Sequence, residues 1–112
     1  MTNGSPVLYE NPLIVVAALS RNGLSIDDSF LYAFLVDSCL RRMRAGLEYR
    51  DKNGMYTILK QSDIAMYLGK SERTIHLRFK NLKKHGLIEI KQRGLGLPAR
   101  IYLKCEVIGN AV

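Results

Sequence analysis

Nine of the 17 basic residues in this 112-residue chain lie between Lys70 and Arg100. They are Lys70, Arg73, Arg78, Lys80, Lys83, Lys84, Lys91, Arg93 and Arg100, and only Glu72 and Glu89 oppose them. The stretch therefore carries +7, the formal net charge of the whole chain, while eight bases and eight acids cancel elsewhere. A solvated helix face normally mixes signs at four-residue spacing. A one-signed run of this kind instead suits capture of a polyanion, above all the phosphates of nucleic acid.

Other chemistry is poorly supplied. His76, His85, Cys39 and Cys105 fall into no metal-ligand spacing. Asp27 and Asp28 sit where a helix begins, and capping explains them better than paired catalytic carboxylates do. Gly94-Leu95-Gly96 lacks the Gly-Lys-Ser/Thr and the following helix of a phosphate-binding loop. No Ser–His–Asp or Cys–His arrangement can be assigned. The six tyrosines are scattered and do not interleave with the basic run, as a base-stacking sheet requires. The expectation is a non-catalytic chain with no cofactor and no metal. The apolar run Leu13–Leu19 is far shorter than the roughly 20 residues of a membrane helix. Met1–Pro12 lacks the basic residues of a secretory signal. The two cysteines then read as reduced thiols in a cytoplasmic protein.

The elements that must position the basic run can be read from its flanks. Ser25, followed by Asp27 and Asp28, caps a helix predicted over Asp27–Ala45, with Phe30, Leu31, Phe34 and Leu35 as its apolar repeat. Arg41, Arg42 and Arg44 suit the negative end of that helix dipole, and Gly46 stops it. Asp51-Lys52-Asn53-Gly54 signals a turn and Met55–Leu59 a short strand. Gln61–Leu68 reads as a second helix with Ile64, Ala65 and Leu68 on one face. Gly69-Lys70 breaks it, and Ser71 caps a third helix that ends at Gly86. Leu87–Gln92 and Ala99–Leu103 alternate as strands about the glycine-rich tip Arg93–Pro98. This order of elements is an α+β winged helix-turn-helix: three main helices, a short strand and a C-terminal hairpin. Leu13–Leu19 reads as a short buried segment, and residues 1–8 and 105–112 as flexible ends of a single domain over 1–112.

Placing Ile75, Phe79 and Leu82 inward, with a step of about 100° per residue, divides the third helix into two faces. Arg73, Leu77, Lys80, Asn81 and Lys84 fall outward, flanked by Thr74 and His76. In a helix-turn-helix the second helix enters the major groove and offers its first residues to base edges. Arg73 is the leading base reader, through a bidentate contact to guanine, with a phosphate clamp as the alternative. Thr74 suits a base or phosphate contact, or support of the capping turn. Leu77 suits a thymine methyl or packing on a neighbouring chain. Lys70, Ser71, Lys80 and Lys84 are candidate phosphate contacts, as are Lys60, Gln61 and Ser62 at the start of the second helix. Lys91, Arg93, Gly94, Gly96 and Arg100 form the wing set, placed to meet the backbone or the minor groove.

The chain resembles the N-terminal domain of the RepA-type plasmid replication initiators of Gram-positive bacteria. The resemblance is carried by Phe30-Leu31-Tyr32-Ala33-Phe34-Leu35, by Asp51-Lys52-Asn53-Gly54-Met55-Tyr56 and by the run from Ser71 to Gly86-Leu87-Ile88. It is most specific in Gln92-Arg93-Gly94-Leu95-Gly96-Leu97-Pro98, leading into Ile101-Tyr102-Leu103. It implies binding of double-stranded DNA at repeats in a plasmid origin, as a homodimer, to start replication. It also implies a further C-terminal region through which host replication proteins could be met. A winged-helix transcriptional repressor and a protein-interaction domain for an acidic partner are the rival readings.

Overall fold

The computed structural model describes residues 12–104, Pro12 by its backbone alone. The ends read as flexible, residues 1–8 and 105–112, lie outside them, as does Cys105. Four helices and four short strands follow one another: α1 (Pro12–Arg21), α2 (Ile26–Arg44), β1 (Arg50–Asp51), β2 (Gly54–Thr57), α3 (Gln61–Leu68), α4 (Glu72–Lys84), β3 (Ile88–Lys91) and β4 (Arg100–Leu103). The strands form one antiparallel sheet in the order β1-β2-β4-β3. This is the winged-helix arrangement, with one helix and one strand more than the sequence reading placed.

The added helix is α1. Its sequence PLIVVAALSR has no polar stripe to betray a helical period. Pro12 starts it, as proline suits the first helical turn. Val15, Ala18 and Leu19 then point into the core at i, i+3 and i+4. Beyond it, Ser25 accepts a 3.0 Å hydrogen bond from the Asp28 amide and opens α2. The buried face of α2 runs through Leu31, Tyr32, Leu35, Val36 and Cys39. Of the four residues expected to face inward, Leu31 and Leu35 do so, Phe34 is half-buried and Phe30 is exposed. The buried face is centred between the Leu31/Leu35 and Tyr32/Val36 rows, so at about 100° per residue Phe30 falls on the far side and Phe34 on the flank.

The sheet pairs Tyr56 with Tyr102 and Ile90 with Ile101. Ile88, Ile101 and Leu103 join the helical core, with Ile90 packed against it. Tyr56 and Tyr102 occupy the other face and are nonetheless buried, with ring centroids 5.6 Å apart. The strand expected over Met55–Leu59 ends at Thr57, and Ile58 and Leu59 lead into α3 instead. The predicted turn after Asp51 is a hairpin whose first arm, β1, is only two residues long. Asp51 closes it by accepting a 2.7 Å bond from the Asn53 amide.

Two short turns set the helices against each other. Gly69 takes the left-handed conformation (φ 69°), and the Lys70 amide returns to the Ala65 carbonyl at 2.9 Å. This closure ends α3 in a way that favours glycine. Ser71 then accepts a 3.1 Å bond from the Thr74 amide and opens α4. Ile75, Phe79 and Leu82 are all buried, as their spacing requires.

Candidate nucleic-acid interface

The three core residues of α4 hold it by one side and leave the other in solvent. Arg73, His76, Leu77, Lys80, Lys83 and Lys84 are exposed. Thr74 is half-buried, and its hydroxyl lies 3.0 Å from the Ser71 hydroxyl, which ties it into the capping turn. The Leu77 side chain, about half exposed, is the one large apolar group on this outer face. Lys60 is exposed at the start of α3, with Gln61 and Ser62 partly covered beside it. The first amides of α3 lack helical partners, and the helix dipole makes that end favourable for an anion.

One open cleft of about 450 Å³ lies between the start of α3, the start of α4 and the root of the wing; of the candidate contacts only Lys60, Gln61 and Ser62 line it. Lys60, Gln61 and Ser62 border it from α3, Glu72 from α4, and Gln92 and Pro98 from the root of the wing, with Phe79 and Ile101 beneath. The start of the helix-turn-helix and the hairpin therefore share a continuous surface. The wing loop runs from Gln92 to Ala99 between the paired ends Lys91 and Arg100. Gly94 and Gly96 adopt positive φ (119° and 78°), which favours glycine at both positions. The Leu97 amide bonds to the Gly94 carbonyl at 3.2 Å, and the Arg93 guanidinium reaches the Pro98 carbonyl at 3.3 Å. Arg93 stays exposed, and Leu95 at the tip is fully in solvent.

Not every cation of the run is free. Arg100, expected in the wing contact set, is 14% exposed and turned back over the sheet. It pairs with Asp51 and with Glu48 (3.3 Å), and its guanidinium lies 4.3 Å from the centroid of the Tyr56 ring. Burial works against the charged form of Asp51. Hydrogen bonds from the Tyr102 hydroxyl, the Asn53 amide and Arg100 outweigh it and hold the carboxyl below its usual range. Lys91 stays partly exposed but pairs with Glu89 at 3.3 Å, which Lys104 also contacts. Hydrogen bonds from Lys91 and Lys104 hold the Glu89 carboxyl below its usual range. Arg78 reaches the buried Asp28 at 3.1 Å. Asn81, placed outward by the helical count, is half-buried and donates to the other oxygen of the same carboxylate at 3.2 Å. The helical count places Asn81 on the outer face, and the Asp28 carboxylate on α2 draws its side chain inward instead.

Six cations of the run, Lys70, Arg73, Lys80, Lys83, Lys84 and Arg93, are exposed and make no ion pair among the described residues. Two of the three arginines at the end of α2 have local partners: Arg41 pairs with Asp37 at 2.8 Å, and Arg42 donates to the Glu48 carbonyl at 2.8 Å, while Arg44 is exposed. The structural roles of Asp28 and Asp51 were the main omission from the sequence reading. Their only sequence signal is an acidic residue beside a capping or turn motif, which those motifs already explain.

Over residues 8–110 the sequence matches the family described as the N-terminus of replication initiator protein A (RepA). The chain belongs to that family. Two solved structures resemble the RepA N-terminal fold seen here. One is titled "N-Terminal domain of DNA binding protein": TM-score 0.63 and 25% identity, covering 75% of this chain and 63% of that one. The other is titled "Structure of Rep-DNA complex": TM-score 0.63 and 21% identity, covering 94% of this chain and 83% of that one. At that identity the second likeness establishes the fold. The chain thus spans less than two thirds of the first structure's length. No curated protein matches the sequence.

Proposed function

We propose that this RepA N-terminal domain binds double-stranded DNA site-specifically at repeats in a plasmid replication origin, without catalysis, as part of a replication initiator. The helix α4 enters the major groove, with Arg73 foremost among its base readers and Leu77 beside it. Lys70, Lys80 and Lys84 hold phosphates, as does the amide end of α3 with Lys60, Gln61 and Ser62. Arg93 and the glycine backbone of the wing meet the flanking backbone. Two copies engage repeated sites in the cytoplasm, and a further region of the full initiator meets host replication proteins.

The observation that carries this reading is the division of α4. Three apolar residues bury one side, and four exposed cations, Arg73, Lys80, Lys83 and Lys84, lie on the rest of its surface. Membership of the replication initiator family supports it. Among the described residues no helix is long and apolar enough to cross a membrane. A footprint of the domain on the DNA around its own coding region tests the proposal. Protection of spaced repeats is the expected result. Failure to shift any duplex at physiological salt, with retention of an acidic protein instead, overturns it.

A further inference from the structure

We infer that Asp28 is the positioning residue that sets the rotation and axial placement of α4. Through α4 it determines which bases the domain selects. The inference rests on the duplex-binding reading above and names a residue that never touches the DNA.

Asp28 is buried in the first turn of α2, where a carboxylate without partners is costly. Both of its oxygens are used. One accepts from the Arg78 guanidinium at 3.1 Å and the other from the Asn81 amide at 3.2 Å. The two donors are three residues apart on α4, so the carboxylate spans nearly a full turn of that helix. A one-residue slip of α4 would move the donors by about 1.5 Å and turn them by about 100°, which breaks both bonds. Around this contact the core is apolar, with Leu31, Leu35, Ile75, Phe79 and Leu82 in one cluster. Apolar packing tolerates small shifts that directional bonds do not. Asp28 is itself held, because its amide donates to Ser25 and the Ser29 hydroxyl donates to the Ser25 carbonyl at 2.7 Å. Buried ion pairs add little to stability compared with apolar replacements, so fixing one arrangement is the better account of this one.

The test separates placement from stability. The triple variant Asp28→Leu, Arg78→Met, Asn81→Leu replaces the polar contact with apolar side chains and leaves the net charge unchanged. Asp28→Ala and Asp28→Asn accompany it, with folding followed by circular dichroism. The probes are a duplex selected by the wild-type domain from a randomised pool and a scrambled duplex of equal composition, both read by fluorescence anisotropy. Affinity for the selected duplex should fall about tenfold in the triple variant, the equivalent of one good base contact. Affinity for the scrambled duplex should stay within about twofold, because the phosphate-facing cations remain. Asp28→Asn, which keeps one acceptor oxygen, should fall between wild type and Asp28→Ala. A folded triple variant that keeps the full preference, or loses both duplexes equally, overturns the role of Asp28. If Asp28→Ala does not fold, the triple variant decides. A wild-type domain that selects no sequence refutes the duplex-binding reading instead, which is a different result.

Discussion

Salt dependence offers a direct way to ask which cations meet DNA, because each phosphate neutralised releases counterions and steepens the slope of log K against log salt by about 0.9. The structure sorts the basic run for this purpose. Lys70, Arg73, Lys80, Lys83, Lys84 and Arg93 are exposed without carboxylate partners, whereas Arg78, Lys91 and Arg100 are already paired. If Arg73 is spent on a base and Lys83 stands on the flank of α4, the run supplies four phosphate-neutralising cations per domain, Lys70, Lys80, Lys84 and Arg93; the phosphate at the start of α3 is held chiefly by backbone amides and is not counted. A pair of domains then holds about 8 phosphates and gives a slope of about −7. Between 50 and 200 mM salt its affinity should drop by about four orders of magnitude. Lys80→Met removes one contact per domain and should flatten the slope by about 1.8 for the pair. Arg78→Met and Lys91→Met should leave the slope unchanged, even where they alter the melting temperature. The assay is fluorescence anisotropy across a salt series on one duplex, with each variant checked for folding. If Arg78→Met flattened the slope as much as Lys80→Met, the paired cations would be part of the DNA surface and the sorting would be wrong.

Three further outcomes follow from the geometry. Arg73→Ala should reduce discrimination between single-base variants of the site by about 1–3 kcal/mol, while Arg93→Ala should weaken all duplexes alike; competition binding distinguishes the two. Asp51 has a depressed carboxyl, so its contribution to stability is complete above the unfolded-state value of about 3.9 and is lost as pH falls through the lower folded value. Asp51→Asn should therefore be less stable than wild type near neutral pH, and the gap should close in strongly acidic buffer, as followed by thermal melts. Burial pushes the Cys39 thiol up to about 11, against the opposing pull of Arg42 and Arg50. A thiol reagent at pH 8 should label Cys39 slowly in the folded domain and at once in denaturant, as read by mass spectrometry.

The parts of this fold that were legible in the sequence are those built from neighbouring residues. Ser71, Ile75, Phe79, Leu82 and Gly86 mark the start, buried face and end of α4 within 16 positions. The alternation of Leu87–Gln92 and the two wing glycines likewise specify a hairpin locally. Helix α1 escaped because an apolar segment carries no phase, and its helical form comes from lying against α2. The fate of Arg78 and Arg100 escaped for another reason. Their partners Asp28 and Asp51 are 50 and 49 residues away, and no local pattern couples positions so distant. The charge count was right as a sum, and the pairing that divides it is a property of the folded chain.

The two arms of the proposed interface are anchored very differently, and this bears on how such a domain can change over evolutionary time. The helix α4 lends three side chains to the interior, so most substitutions on its inner side are penalised before any change in DNA preference can be selected. The loop between Lys91 and Arg100 leaves the sheet beside an edge strand and keeps its tip in solvent. Insertions and rewritten sequence there cost the interior almost nothing. New target preferences in relatives of this domain should therefore accumulate first in the length and charge of that loop and in the few outward positions of α4. The apolar framework beneath would pass between lineages nearly unaltered.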